Sequence, residues 1–66
     1  MINVNDKVKV KAISGKVIPK NWEDLIYTIT KKTYLKRGLI LYEFMDDEGN
    51  YYEAFSTKGM IKQKER

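Results

Sequence analysis

Polar and apolar residues alternate strictly over residues 6–12, which read Asp-Lys-Val-Lys-Val-Lys-Ala. Successive side chains of an extended strand point to opposite faces. Val8, Val10 and Ala12 therefore take one face, and Lys7, Lys9 and Lys11 the other. The pattern predicts a half-buried strand with a cationic outer surface. Residues 25–33 predict a second strand, with Leu25, Tyr27 and Ile29 on its apolar face and Thr28 and Thr30 turned outward. Residues 39–45 and 51–55 are rich in aromatic and branched side chains and flank a polar stretch that contains Gly49. This is the pattern of a β-hairpin whose turn needs one left-handed residue. A loop of Asp47-Glu48-Gly49 pairs Phe44 with Tyr52 and Tyr42 with Ala54, and sets Glu43 opposite Glu53. Met60-Ile61-Lys62 closes the pattern as a short fifth strand. The expected core is Val8, Val10, Leu25, Tyr27, Ile29, Ile40, Tyr42, Phe44, Ala54 and Ile61.

Between these strands the alternation breaks. Residues 13–24 hold Gly15 and the single proline, Pro19, and read as a long ordered loop. One helical turn after Pro19, with Glu23 and Asp24 early in it, is the alternative. Residues 30–38 join the second strand to the hairpin and gather Lys31, Lys32, Lys36 and Arg37, with Gly38 as turn residue. Residues 56–59 predict a short turn or one tight helical turn ended by Gly59. Residues 1–5 are a lead-in and residues 63–66 a charged tail that frays. Gly15 is expected in a loop able to readjust around a larger residue, Gly49 in a turn that is not.

Strand, long loop, strand, short loop, strand, tight turn, strand, bend, short strand is the order of a small five-stranded SH3-like barrel. Residues 1–66 are then a single all-β domain, and an oligonucleotide-binding barrel is the runner-up. Val4-Asn5-Asp6-Lys7-Val8-Lys9-Val10-Lys11 resembles the opening of bacterial SH3-type domains. Ile18-Pro19-Lys20-Asn21-Trp22 followed by Tyr27-Thr28-Ile29 is similar to the loop and second strand of cell-wall-targeting SH3-type modules in bacterial and phage peptidoglycan hydrolases. The likeness covers roughly the first thirty residues. It implies a non-catalytic binding module and a cell-wall peptide or glycan as ligand. The closing strands lack the Trp-Val pattern of those modules, which ranks the wall ligand below the alternatives.

A chain of 66 residues without cysteine or histidine excludes disulfide staples and Cys/His zinc sites. The chain shows no leader and no apolar run near the ~20 residues of a membrane-spanning helix, so a cytoplasmic protein is expected, with no membrane partner. Its lysine- and asparagine-rich usage suits a bacterial or phage source. No enzyme activity and no cofactor are expected: Glu43 and Glu53 sit on an open sheet face, and so small a domain has no cleft to enclose a substrate. Asp46-Asp47-Glu48 with Asn50 lacks the spacing of a calcium loop and reads as a solvated turn.

Thirteen Lys/Arg against nine Asp/Glu, a formal charge of +4, raise nucleic acid as a partner. Lys7, Lys9 and Lys11 stripe one strand, and Lys31, Lys32, Lys36 and Arg37 form a second basic group around Tyr34, a base-stacking platform. A protein partner is the other principal expectation, with Trp22, Tyr34 and Tyr51 as aromatic anchors. The tyrosine-rich first-loop motif that proline-rich ligands require is missing. Trp22 itself admits two roles, a cap on the open end of the barrel or an exposed anchor.

Overall fold

The computed structural model describes residues 1–13 and 15–64. Ser14 of the expected first loop and the last two residues of the expected tail lie outside them. Five strands form one antiparallel sheet: β1 (Lys7–Val10), β2 (Tyr27–Tyr34), β3 (Ile40–Met45), β4 (Tyr51–Ala54) and β5 (Met60–Lys62). Their spatial order is β4-β3-β2-β1-β5. The molecule is all-β, and its long first loop and tight central hairpin fall where the alternation breaks. That first loop is closed by a single 3₁₀ turn, Trp22–Asp24, which packs against β1. Trp22 donates its N–H to the Pro19 carbonyl at 3.2 Å, so the loop and the helical turn expected as alternatives are both present. No helix among the described residues is long and apolar enough to cross a membrane.

Val8, Val10, Tyr27, Ile29, Phe44, Ala54 and Met60 form one buried cluster. Every strand contributes to it. In a flat sheet β4 and β5 would stand about 19 Å apart, at four strand spacings. Ala54 and Met60 nevertheless share one core, so the sheet coils around it. Three rings pack together at one side of that core, with Tyr27 and Phe44 buried in it and Tyr52, 38% exposed, at its rim. Tyr27 meets Phe44 and Tyr52 edge-on, with centroids 5.5 and 5.4 Å away, and Phe44 stacks on Tyr52 at 5.7 Å. These edge-to-face and offset arrangements are the ones aromatic quadrupoles favour.

The hairpin has the expected register: Phe44 pairs with Tyr52, Tyr42 with Ala54 and Glu43 with Glu53. Gly49 is left-handed at φ 85 and donates its N–H to the Asp46 carbonyl, as a three-residue loop with a terminal glycine requires. Gly15 is left-handed too, at φ 78, so its loop is less free to readjust than its polar surroundings imply. Gly59 has a different duty. It does not end a helical turn, because residues 57–60 form a β-turn in which the Met60 N–H reaches the Thr57 carbonyl at 2.9 Å. Its carbonyl instead accepts from the N–H of Lys11 at 2.6 Å, and a methyl group on it would run into the Ala12 backbone.

Two bulges shape the rest. Asn5, left-handed at φ 76, and Asp6 together face Ile29: the Asn5 N–H binds the Ile29 carbonyl and the Ile29 N–H binds the Asp6 carbonyl. The register of β2 on β3 then slips by one residue between Ile29 and Lys31. Thr30 is the extra residue, and its hydroxyl donates to the Glu43 carbonyl at 3.3 Å. An odd insertion exchanges the faces of everything beyond it. Lys32 and Tyr34, rather than Lys31 and Thr33, thus share the face of Tyr42 and Ile40.

This corrects several expectations. The second strand runs to Tyr34, so Lys31 and Lys32 belong to β2 and not to a loop. Ile40 and Tyr42 are only half-buried, since beyond the bulge the core face is opposed by Lys32. Leu25 packs against the cluster from its margin. Ile61 is 46% exposed, while Met60 is buried. The register of β5 explains the exchange, for Val10 faces Met60 and Val8 faces Lys62, leaving Ile61 beside Lys9 on the outer side.

Phe44→Ala is expected to cost about 3–5 kcal/mol, as for a fully buried ring, whereas Ile61→Ala should cost under about 1 kcal/mol. Urea unfolding followed by circular dichroism measures both. Comparable costs would contradict the β5 register. Gly59→Ala should destabilise more than either of the changes Lys58→Ala or Thr57→Ala.

Candidate partner-binding site

The residues expected to bind a polyanion fall into separate groups. Lys7 and Lys9 lie on the outer face of β1, and Lys11 follows the strand, exposed in the bend after Val10. Lys7 is engaged there by Thr28, whose hydroxyl oxygen accepts from its ammonium at 2.7 Å. Lys31 is exposed on the outer face of β2 and pairs across the sheet with Glu43. Lys32 points to the other face. Its ammonium donates to the Ile2 carbonyl at 3.2 Å and to Asn3 Oδ1 at 3.3 Å, and sits 5.6 and 5.7 Å from the ring centres of Tyr34 and Tyr42. It ties the lead-in segment to the sheet. Lys36 and Arg37 are exposed in the β2–β3 turn, where Arg37 and Gly38 are both left-handed at φ 64 and 73. The group of four basic residues expected in one loop is therefore divided between two faces and a turn.

The aromatic candidates are also dispersed. Trp22 is half-buried where its 3₁₀ turn meets β1. Tyr34, 71% exposed, lies at the far end of β2, about 23 Å of strand beyond Tyr27. Tyr51, 69% exposed, opens β4 on the outer face. Trp22 and Tyr34 do not make a common surface.

A site not foreseen from the sequence lies between the first loop and β4. Ile13, Ile18 and Pro19 form one wall and Tyr52 the other, and Val10 and Tyr27 lie at the floor of a groove of about 290 Å³. A wider depression continues from it toward Phe55, Lys58 and Gly59, and Lys16 and Glu53 border both. Val17, almost wholly exposed, stands on the loop side, and Phe55, 57% exposed, at the end of β4. The only hint in the sequence was apolar Val17-Ile18-Pro19 within an otherwise polar loop.

The wall at Tyr52 is held from the hairpin turn. Asp46 accepts from the N–H groups of Glu48 and Asn50, both at 2.9 Å, from Asn50 Nδ2 at 3.1 Å and from the Tyr52 hydroxyl at 2.9 Å. These bonds, the Asn50 N–H foremost, hold the Asp46 carboxyl below the usual aspartate value. The same contact raises Tyr52, while burial raises Tyr27. Asp6 is lowered in a similar way, first by the Asn3 N–H at 2.7 Å and then by Lys62, whose ammonium lies 3.3 Å away. Asp46 is thus an internal clasp, both of its carboxylate oxygens occupied by its own chain. No protein family matches this chain, and no curated protein or solved structure is significantly similar to it.

The groove can take apolar side chains of a bound molecule, while Lys16 borders it with a positive charge. The acid clasp gives a test of how the groove wall is held. A carboxyl lowered in the folded state stabilises fully above the unfolded aspartate value of about 3.9, and that stability is lost as the pH falls from there through the lower folded value. Asp46→Asn should therefore lower the melting temperature near neutral pH and make little difference near pH 2. An equal shift at both pH values would show that Asp46 acts through shape and not charge.

Proposed function

We propose that this chain is a non-catalytic binding module of SH3 type that holds a protein partner in the groove between its first loop and β4. One observation carries the reading: an apolar groove, floored by core residues and bordered by partly exposed Tyr52, continuing toward exposed Phe55, opens beside a strand that ends the sheet. Exposed aromatic side chains around a concave apolar site are the usual anchors of protein recognition. The SH3-type assignment is supported by the strand order, in which β1 lies between β2 and β5 and the first loop is the longest. Selection of binders from a displayed peptide library tests this function. Binders are expected for the wild-type protein and are expected to lose the double variant Val17→Asp, Ile18→Asp, whose fold circular dichroism verifies. Binders indifferent to that variant would sink the groove reading.

Nucleic acid is the second reading, favoured by Lys7, Lys9 and Lys11, on and just after β1, in a chain of charge +4. Such binding should weaken steeply between ~50 and ~200 mM salt and disappear when the three lysines become Gln. Salt-independent retention of RNA or DNA would remove this reading. Cell-wall polymer ranks third, supported by the likeness of roughly the first thirty residues alone.

A further inference from the structure

We infer that the free edge of β4 receives an extended segment of the partner as an added strand, with apolar side chains opposite Tyr52 and Ala54 and a lysine or arginine opposite Glu53. This rests on the groove reading above and specifies how that site is filled. In an antiparallel ladder, pairs that exchange hydrogen bonds alternate with pairs that do not. The Asp46 N–H binds the Asn50 carbonyl, so Phe44/Tyr52 and Tyr42/Ala54 are the bonded pairs that follow. Tyr51 and Glu53 consequently turn their N–H and C=O groups away from β3. The sheet order places no strand beyond β4, and among the described residues neither group takes part in a turn or loop bond. An added strand would find these backbone partners two residues apart, the spacing that strand addition uses.

The two sheet edges differ in how they are protected. Natural edges are blunted by lysine, proline, bulges or brevity. The β5 edge is three residues long, carries Lys62 and is followed by Lys64. The β4 edge is one residue longer and carries neither lysine nor proline: it reads Tyr-Tyr-Glu-Ala and runs on into Phe55, in a chain with thirteen Lys/Arg. Its one charge is the acidic Glu53, which disfavours an acidic partner strand and favours a basic one.

Charge selects the occupant. Across the outer face, Lys31 pairs with Glu43 and Glu43 with Glu53. The row reads plus, minus, minus, and ends at the free edge. Directly opposed like charges disfavour the sheet, and opposite charges support it. Among the described residues neither glutamate has an ion-pair partner within salt-bridge distance. A basic residue on the incoming strand completes the row, while its alternate neighbours turn to the groove face, toward Tyr52, Ile18 and Pro19. A second copy of this chain fits less well, because its own β4 carries no basic residue to set against Glu53.

The probe is the synthetic peptide Thr-Thr-Val-Lys-Val-Thr-Thr, titrated into the ¹⁵N-labelled full chain. Binding is expected to slow amide exchange at Tyr51 and Glu53. A peptide N-methylated on its backbone, with the same side chains, should bind about tenfold more weakly or worse through loss of main-chain hydrogen bonds. A Lys→Glu peptide should lose affinity likewise, and regain it on Glu53→Lys protein. Glu53→Pro, which removes an outward-facing N–H only, should abolish binding; the N-methylated peptide makes the same test on unaltered protein. Equal affinity of the N-methylated and parent peptides, with shifts in the groove, would overturn strand addition and leave groove binding standing. Failure of every displayed binder on the groove variants' wild-type parent would instead remove the underlying function. Concentration-dependent protection of Tyr51 and Glu53 without peptide, with a dimer in sedimentation, would make a second copy the occupant and overturn the proposal.

Discussion

The fold is centred on the buried rings of Tyr27 and Phe44, on adjacent strands, with Tyr52 packed against both from the rim of the core. A domain of this size buries only about 60% of the surface of its unfolded chain, and its buried cluster, among the described residues, is seven residues. Such a core has no reserve. The rings fix the stagger of β2, β3 and β4, and the remaining strands coil until Val8, Val10 and Met60 reach the same cluster. Asp46 extends the arrangement to the surface, because the hydroxyl it accepts from belongs to one of the three rings. The turn, the core and the groove wall are therefore one mechanical unit.

The coupling explains why the candidate site lies where it does. Tyr52 faces the core with one side of its ring and lines the groove with another. A groove floored by Val10 and Tyr27 inherits the rigidity of the core, which limits the ordering cost of binding. The first loop supplies the opposite wall from residues outside any strand, and it is secured at its base by the 3₁₀ turn on β1.

The sequence disclosed those parts of the structure in which periodicity and turn chemistry agree. The β3–β4 hairpin is the clearest: alternation on both sides of Asp47-Glu48-Gly49 leaves one register that buries Phe44 and Ala54 together. β1 was equally plain from its Val-Lys alternation. The bulge at Thr30 left no mark, since Thr-Ile-Thr-Lys-Lys-Thr suits a strand whichever face each residue takes. Missing it misplaced Lys31 and Lys32 in a loop and made the basic group look continuous. Met60 and Ile61 are both apolar in a strand too short to show a period, so its parity could not be read. The groove was hidden for another reason. It joins residues from the first loop to residues of β2 and β4 far along the chain, and no local pattern records such a meeting.

The pairing of β1 with β5 has a kinetic consequence. Val10 and Met60 face each other although about fifty positions separate them in the chain. The β2–β3–β4 meander can assemble through short turns, but the β1–β5 ladder forms only after nearly the whole polypeptide has closed into a loop. Closure entropy is lost before those few hydrogen bonds compensate it. Refolding is accordingly governed by non-local contacts and belongs to the millisecond-to-second range of small β proteins. During that interval β1, the most regular and cationic strand of the molecule, is itself an unpaired edge, and its row of lysines is what keeps nascent chains apart.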